Sequence, residues 1–413
     1  MTERAAPVRV VGHRWHPRTH EVKEFLARNR VPYLWTDPGE SDVGRRLRDE
    51  AGPDARLPLL VFPDGGTLQD PSDDELARRI GLDTVADLPF YDLVIVGGGP
   101  AGLAAAVYGA SDGLRTLIVE RRAAGGQAGQ SARIENYLGF PEGLPGGELA
   151  RRAVEQAEKF GVEIVVTRAA TSLRADGAYR VVGLDDGREP ACHAALLATG
   201  VNWRTLDAPG CGELVGAGIY YGAAAAEAAA VRGRDVYLLG AGNSAGQAAM
   251  LLARYAKSVT LVAMEESIAE KMSQYLVERL EATPNVRTRL GCTVCAAGGR
   301  GRLSSITVKD VKTGETEEIP TEALFVFIGA APETEWLEGV LARDEEGYLL
   351  TGSRLLRAGR WTLEEREPFV LETSLPGVFA AGDVRAGSAK RVGAAVGEGS
   401  MAVQLIHEYL RER

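Results

Sequence analysis

Two glycine-rich loops have the residue types and the spacing that bind a pyrophosphate group. They are Gly97-Gly98-Gly99-Pro100-Ala101-Gly102 and Gly240-Ala241-Gly242-Asn243-Ser244-Ala245. In such a loop the first glycine permits a tight turn, and the second lets the backbone approach the phosphates. The third small residue lets a helix pack close to the preceding strand, so that the N–H groups of its first turn face the ligand. We therefore predict two dinucleotide-binding sites, formed by Gly97, Gly99, Pro100, Ala101 and Gly102 and by Gly240, Gly242, Asn243, Ser244 and Ala245.

Each loop lies between predicted elements of alternating type. The predicted strands are residues 91–96, 115–119, 235–239 and 258–262, and the predicted helices are residues 104–112 and 247–255. The strands are short β-branched runs of the kind that parallel sheets bury on both faces. The predicted strand that follows the first loop, residues 115–119, ends on Glu120. A carboxylate at this place accepts a hydrogen bond from a ribose hydroxyl. The order predicts an α/β fold with two Rossmann-like three-layer nucleotide-binding domains.

Four more motifs follow the first loop. They are Gly-Gly-Gln at 125–127, Ile-Glu-Asn-Tyr at 134–137, Ala-Thr-Gly at 198–200 and Gly-Val-Phe-Ala-Ala-Gly-Asp at 377–383. Together with the two glycine loops, they make the chain resemble thioredoxin reductases over roughly residues 88–413. The resemblance implies an enzyme that binds FAD, uses NADH or NADPH and forms a homodimer.

The resemblance also implies which residues bind the flavin. Besides the first loop and Glu120, these are Gly126, Gln127, Asn136, Thr199, Gly200, Gly382, Asp383, Arg391 and Val392. Asp383 would bind the ribityl chain, and the segment from Lys390 to Val392 would run beside the isoalloxazine ring.

The implied domain organisation has four parts. Residues 86–205 and 331–413 would form the FAD-binding domain, and residues 206–330 would form the NAD(P)-binding domain inserted between them. Residues 1–85 would form a separate N-terminal domain. An insertion at 351–369 exceeds the family's core, and it would shape either access to the flavin or the edge of the dimer.

The residues after the predicted strand at 258–262, which follows the second glycine loop, bear on the choice of cosubstrate. Thioredoxin reductases have His-Arg-Arg there, which binds the NADPH 2′-phosphate, whereas this chain has Ala263, Met264 and Glu265, followed by Glu266. An acid accepts from a ribose 2′-hydroxyl and repels a 2′-phosphate, so we expect NADH, with Glu265 or Glu266 as the discriminating residue. In the alternative, both glutamates face solvent and Lys271 or another base binds the phosphate.

The cysteine motif of thioredoxin reductases is missing from this chain. Its two positions are occupied by Gly222 and Ala225, so we identify no catalytic residue there. The resemblance then implies that hydride passes from the nicotinamide to the flavin, and from the flavin to an acceptor that is not an internal dithiol. That acceptor, or redox partner protein, is not encoded in any local motif.

A second Cys-x-x-Cys spacing occurs at Cys292 and Cys295. The residues before and after it, 286–290 and 304–308, indicate paired strands. Residues i and i+3 of a regular strand point to opposite faces, about 10 Å apart, which is beyond disulfide reach. We therefore expect both thiols to be structural, and the isolated Cys211 to be incidental.

The N-terminal segment has a β-α-β…β-β-α order. Strands are predicted at 8–11, 31–35 and 57–62, with helices at 20–29 and 73–80. The segment resembles thioredoxin and glutaredoxin domains, including Trp15-His16-Pro17-Arg18-Thr19 where they have Trp-Cys-Pro-x-Cys, and Pro58 where they have a cis proline. Without its two cysteines it cannot exchange disulfides, so a docking or dimer role is favoured. His13, His16 and His20 lack a carboxylate or thiol partner in sequence, and no metal site is predicted.

Composition bounds the remaining possibilities. The chain has 413 residues, 45% of them hydrophobic and 25% charged, which is typical of a globular protein with several domains. Its net charge of -10 argues against nucleic acid, and no apolar run approaches the roughly 18 residues that span a membrane. Four cysteines and no signal-peptide pattern favour the cytoplasm.

Two other functions stay open at this point. One is a thioredoxin-disulfide reductase that uses Cys292 and Cys295 or a partner's disulfide. The other is a flavin-bound sensor or docking protein without enzymatic turnover.

Overall fold

The computed structural model describes residues 7–131, 133–221, 228 and 231–412, which divide into two units. Unit A comprises Met1–Pro71 and Trp203–Ala330, and unit B comprises Ser72–Asn202 and Ala331–Arg413. Each unit therefore joins two distant stretches of the chain. The four-part division at residues 85, 205 and 330 stays a prediction.

The N-terminal part of unit A is a four-stranded sheet with two helices. Its elements are β1 (Val8–Val11), α1 (Pro17–Arg28), β2 (Tyr33–Thr36), α2 (Asp42–Glu50), β3 (Leu59–Val61) and β4 (Thr67–Gln69). The strand order is β2-β1-β3-β4, with β1 parallel to β2 and antiparallel to β3. The Leu57–Pro58 peptide is cis, as the sequence predicts. Val10, Leu26 and Leu60 are fully buried and form the core of this part.

Unit B begins with α3 (Asp73–Arg79), where Ser72 and Glu75 form a reciprocal capping box. The elements that follow are β5 (Phe90–Val96), α4 (Pro100–Ser111), β6 (Thr116–Val119), α5 (Gly146–Lys159), β7 (Glu163–Val165), β8 (Ala170–Asp176), β9 (Tyr179–Leu184) and β10 (Ala191–Leu197). They form a sheet in the order β7-β6-β5-β10-β9-β8. The first four strands are parallel, and β9 and β8 complete the sheet as an antiparallel hairpin.

The larger part of unit A holds a second parallel sheet. The short strands β11 (Asn202–Trp203) and β20 (Ala330–Ala331) lie at the two ends of this part, where the chain changes unit. The elements between them are β12 (Ile219–Tyr221), β13 (Asp235–Leu239), α6 (Asn243–Leu252), β14 (Ser258–Val262), α7 (Gln274–Glu281), β15 (Val286–Arg289), β16 (Cys292–Gly299), β17 (Leu303–Asp310), β18 (Thr316–Pro320) and β19 (Leu324–Val326). The parallel sheet has the order β12-β19-β13-β14-β15, and β16-β17-β18 form an antiparallel sheet.

The chain returns to unit B for its last elements, α8 (Ser353–Arg357), β21 (Val378–Ala380) and α9 (Val392–Arg411). Strand β21 pairs in parallel with β10. Short 3-10 turns lie at Ala128–Gln130, Gly212–Leu214, Ile268–Glu270 and Glu335–Leu337. No helix in the described part of the chain is long and apolar enough to cross a lipid bilayer.

The pairing predicted for the strands around Cys292 is wrong. Residues 286–290 were expected to pair with 304–308, but β15 is the edge strand of the parallel sheet beside β14, and β17 pairs with β16. The main-chain direction turns between β15 and β16 at Gly291, which has a φ of +66°. Strands β15 and β16 are therefore adjacent in sequence but belong to different sheets.

The insertion is tied to the core of unit B by a buried ion pair. Glu372 is fully buried and accepts hydrogen bonds from the guanidinium nitrogens of Arg366, at 2.6 and 2.8 Å, and from the Gly377 amide at 2.9 Å. The Trp361 indole donates to the Arg366 carbonyl at 2.7 Å. The end of the insertion is thus held in place by one carboxylate.

Helix α9 approaches the backbone of α4 without an intervening side chain. An added Cβ at Gly399 would collide with the carbonyl oxygen of Ala101 and lie 3.0 Å from the carbonyl carbon. Gly397, two residues earlier in the same helix, is exposed, and a Cβ added there would meet nothing within 4 Å. Both glycines lie inside this helix.

These two glycines make a matched pair of variants. Gly399→Ala should lower the free energy of unfolding by about 1–3 kcal/mol, because the new methyl group meets a rigid backbone atom. Gly397→Ala should raise it by about 0.5–1 kcal/mol, because alanine favours an exposed helical position. Urea unfolding followed by circular dichroism measures both. Equal effects in the two variants would contradict the close packing of α9 on α4.

Candidate nucleotide-binding sites

The carboxyl ends of the parallel strands in unit B bring most of the predicted flavin-binding residues to one edge. The loops after β5, β6, β10 and β21 begin at Gly97, Glu120, Ala198 and Ala381. Parallel strands end at the same edge of a sheet, and ligands of α/β proteins bind there. Thr199 and Gly200 lie in the third of these loops and Gly382 and Asp383 in the fourth.

The first glycine loop has the backbone geometry that its spacing predicts. Gly97 has a φ of +106°, and an added Cβ would collide with the carbonyl oxygen of Ala198. A Cβ at Gly102 would collide with the carbonyl oxygen of Gly97. Gly99 precedes α4 as an extended N-cap residue without a side-chain cap, and Pro100 is the first residue of the helix. The N-terminus of α4 therefore has the form of an anion-binding site.

Glu120 is held by the backbone of the same region. Its carboxylate accepts from the Gly98 amide at 2.8 Å and from the Arg122 amide at 2.9 Å. The side chain therefore lies against the glycine loop, as a ribose-binding acid must. Its remaining lone pairs can still accept from a hydroxyl.

The Gly-Gly-Gln segment packs on the glycine loop. The Gly125 amide donates to the Gly98 carbonyl at 2.7 Å, and a Cβ at Gly126 would lie 3.0 Å from the Gly99 Cα atom. Gln127 donates to the carbonyl oxygen of Val201. Asn136, by contrast, lies in an exposed loop. Arg391 is the N-cap residue of α9, and Val392 is that helix's first residue.

Two polar groups at this edge fit a bound cofactor such as FAD. The Thr199 hydroxyl oxygen is buried and has no hydrogen-bond partner among the described residues. Burial raises the pKa of the Asp383 carboxyl, against the lowering effect of Lys390, and the Glu398 carboxylate raises it further. A buried polar group without a partner is costly, so both groups favour a polar ligand at this position.

Glu398 is a residue that the sequence analysis missed. It accepts from the Gly382 amide at 2.7 Å and from the Arg385 guanidinium at 3.1 Å, so it holds the loop that carries Asp383. The sequence does contain a signal for it, which is an acid inside an apolar segment with helical spacing. The glycines on either side, Gly397 and Gly399, interrupt that spacing and made the helix hard to recognise.

The second glycine loop lies at the carboxyl edge of the parallel sheet in unit A. Gly240 has a φ of +133°, and an added Cβ would collide with the Phe327 carbonyl oxygen. Gly242 is the extended, uncapped N-cap residue of α6, with nothing within 4 Å of an added Cβ. The Asn243 side chain accepts from the Ser273 amide at 2.7 Å. Ser244 is exposed, and Ala245 is fully buried against the core.

Glu265 follows β14 and forms a close ion pair with Lys271. Its carboxylate lies 2.6 Å from the Lys271 ammonium, and its side chain is 13% exposed against 64% for Lys271. The hydrogen bond from Lys271 lowers the pKa of Glu265, so the acid is ionised at neutral pH. Glu266 is exposed and pairs with Lys312 at 2.6 Å. Of these two glutamates, Glu265 is therefore the one whose ionised carboxylate is mostly buried.

The thiols lie away from both glycine loops in sequence, and none is in a disulfide. Cys292 is buried in the core with Val294, and Cys295 is the residue skipped where β16 shifts register against β17. This β-bulge breaks the regular alternation on which the opposite-face argument relied. Burial raises the pKa of Cys211, and the nearby Cys295 raises it further, so Cys211 is a poor thiolate. Gly222 and Ala225 lie outside the described residues.

His13 and His20 have separate partners. The His13 ring nitrogen lies 3.2 Å from an Asp37 carboxylate oxygen, and the His20 ring packs on Tyr220. Within the described ranges, no three histidine, cysteine or acidic side chains form a group that could hold a metal ion.

Two glycine loops, each leading into a helix at the carboxyl edge of a parallel sheet, define a protein that binds two dinucleotides. The family model for pyridine nucleotide-disulphide oxidoreductases matches residues 91–399. The thioredoxin reductase of Treponema pallidum is 33% identical over 320 residues, which are 78% of this chain and 97% of that protein. The thioredoxin reductase of Bacillus subtilis is 32% identical over 323 residues, covering 78% and 95% of the two chains.

Solved structures agree with these relatives. The crystal structure of thioredoxin reductase from Lactococcus lactis superposes with a TM-score of 0.70 at 30% identity, covering 78% of this chain and all of that one. The chain therefore belongs to the pyridine nucleotide-disulphide oxidoreductase family. It is an oxidoreductase similar to thioredoxin reductases, which use FAD and NAD(P)H. The family match begins at residue 91, so the N-terminal segment lies outside it.

The Asp383 carboxyl gives a pH-dependent prediction. Since its pKa is raised in the folded protein, the native state binds this proton more tightly than the unfolded chain does. Stability is therefore lost as pH rises from the ordinary aspartate range through the raised pKa. In flavin-free protein, Asp383→Asn should raise the melting temperature at pH 7, and the gain should shrink towards pH 4.

The exposed Asp176→Asn variant is the control, and it should change the melting temperature little at any pH. A gain in Asp383→Asn that does not depend on pH would count against burial of a charged carboxylate. Scanning calorimetry at several pH values makes the comparison.

Proposed function

We propose that the protein transfers reducing equivalents from NADH to FAD and then to an acceptor other than a dithiol of its own chain. The observation that carries this proposal is the pair Gly222 and Ala225 at the positions of the family's redox cysteines. The remaining thiols give it further support. Cys211 and Cys292 are buried, and Cys211 has a raised pKa.

The residues of unit B have clear parts in this function. FAD, when bound, would accept hydride from the nicotinamide and deliver electrons to the acceptor. The first turn of α4 and Gly99 would bind its pyrophosphate, and Glu120 a ribose hydroxyl. Thr199 and Asp383 would meet its polar groups, with the Asp383 loop held by Glu398.

The NADH preference rests on Glu265. An ionised, mostly buried carboxylate after β14 repels a 2′-phosphate and accepts from a 2′-hydroxyl. Lys271, the base that could bind a phosphate, is already paired with this acid at 2.6 Å. The positive charge of Lys271 is therefore largely offset by the carboxylate of Glu265, which leaves little attraction for a 2′-phosphate.

The other assignments are also proposals. A thioredoxin-like nature of residues 1–85 is supported by their mixed sheet in the order β2-β1-β3-β4. The homodimer rests on the family resemblance, and the cytoplasmic location rests on the cysteine content. The four domain boundaries rest on the motif order in the sequence.

Thioredoxin-disulfide reductase activity is the second candidate, since the relatives of Treponema pallidum and Bacillus subtilis bear that name. It requires a thiol pair to take electrons from the flavin. In this chain only Cys292 and Cys295 have the spacing.

Anaerobic titration with NADH separates the two candidates. We expect the flavin-loaded protein to take up about two electrons per FAD, because the flavin would be its only two-electron centre. Bleaching of the flavin absorbance against added NADH gives the count. Uptake of about four electrons would sink the proposal and identify a redox-active disulfide.

A cysteine variant sharpens that result. Cys292→Ser/Cys295→Ser should leave the electron count unchanged. A drop from about four electrons to about two in this variant would assign the extra store to a disulfide that contains at least one of these two cysteines.

The cosubstrate is tested by Glu265→Gln. Removing the negative charge while leaving Lys271 should raise the ratio of kcat/KM for NADPH to that for NADH about tenfold, or about 1.4 kcal/mol. Glu266→Gln, the exposed neighbour, is the control and should leave the ratio unchanged. If Glu266→Gln moves the ratio and Glu265→Gln does not, the discriminating residue is misassigned.

A further inference from the structure

The N-terminal residues 7–71 pack within unit A against a chain segment more than a hundred residues further on. We call residues 7–71 the module. The segment that receives it is the loop and strand around Gly216 and Tyr220, together with Arg234. We call these three residues the receiving face.

Three contacts of different chemistry join the module to the receiving face. A Cβ added at Gly216 would lie 3.2 Å from the Pro17 Cα atom, so two backbones nearly touch. The rings of His20 and Tyr220 lie 5.5 Å apart, in a tilted arrangement. These distances are those of packed neighbours and not of chance proximity.

The third contact involves a charge. The guanidinium carbon of Arg234 lies 5.8 Å from the centre of the Trp15 ring, within the range of a cation–π interaction. On the module side, all three contacts come from residues 15–20. These residues include the segment where thioredoxin-like domains carry their redox cysteines.

The receiving face leads directly to the positions that matter for electron transfer in the family. Tyr220 and Tyr221 end β12, and Gly222 follows in the sequence. Tyr220 is buried although it lies on the edge strand of its sheet, and Gly216, in the loop before that strand, is buried as well. The module contributes to that burial through Pro17 and His20.

From this juxtaposition we propose that the module is a tethered internal partner that occupies the receiving face and keeps other proteins from docking there. Residues 15–20 have lost both redox cysteines, so the contact serves docking and not disulfide exchange. The consequence for the acceptor rests on the function proposed above. A protein acceptor would therefore have to displace the module from the receiving face or dock elsewhere.

Size-graded thiol labelling tests the occupied face in the full-length, flavin-loaded protein. Val215→Cys provides the probe site, because Val215 is 38% exposed and adjoins Gly216. The probes are a small maleimide and a polyethylene-glycol maleimide of about protein size. The measured quantity is the labelling rate of the large probe divided by that of the small probe. With Val215→Cys as the only substitution, we expect this ratio to be several-fold lower in the folded protein than in the unfolded chain. The protein with its native cysteines alone gives the background rate.

Two variants added to Val215→Cys should remove this discrimination. Gly216→Leu places a side chain against Pro17, and Trp15→Ala/His20→Ala removes both ring contacts without adding bulk. Gly233→Leu is the matched control for the first: Gly233 has a φ of +72° against +77° for Gly216, but nothing lies within 4 Å of its added Cβ. It should keep the discrimination, although it imposes similar backbone strain.

Each outcome decides the matter. Lost discrimination in Gly216→Leu and Trp15→Ala/His20→Ala, with retention in Gly233→Leu, would support the tethered partner. Equal rates for the two probes in the unchanged background, or equal discrimination in every variant, would overturn it. If Gly216→Leu unfolds unit A, the alanine variant still gives the answer. Labelling does not depend on flavin reduction, so its failure is distinct from failure of the electron count.

Discussion

Backbone contacts that leave no room for a Cβ hold the binding edge of unit B together. Gly97 lies against the carbonyl oxygen of Ala198, Gly102 against that of Gly97, and Gly399 against that of Ala101. These contacts form a series from the end of β10, through the loop and α4, to α9. Because each member is a backbone atom, none can move aside as a side chain could. The orientation of the first turn of α4 is therefore fixed by its packing against the end of β10 and against α9, and not by the glycine loop alone.

Carboxylates fix the loops that this packing leaves free. Glu120 accepts from the amides of Gly98 and Arg122, and Glu398 accepts from the Gly382 amide. Both acids are matched by fixed donors, so their burial costs little. Asp383 differs, because burial raises the pKa of its carboxyl. A site that keeps such a group gives up stability in the free protein for affinity towards a polar ligand.

Much of this arrangement could be predicted from the sequence, since buried β-branched runs bounded by glycines are distinctive. Strands β1, β13 and β14 have the predicted bounds. Helices α4 and α6 begin earlier than predicted, because the glycine loop itself supplies the N-cap. Helix α2 was missed, because Val43 and Leu47 are its only large apolar residues and two are too few to mark a helical period. The partner of β15 and the role of Glu398 depend on contacts between distant segments, which local patterns do not encode.

The two glycine loops share a backbone design but differ in how their acids are held. Glu120 is fixed by two amides of its own region, and these donors cannot leave. Glu265 is held by Lys271, a side chain that is 64% exposed and free to change rotamer. If Glu265 binds the ribose as proposed, a ribose hydroxyl would replace the lysine at the carboxylate, and the lysine would return when the ligand leaves. Under that proposal, the first site would suit a cofactor that stays bound, and the second a cosubstrate that binds and leaves in every turnover.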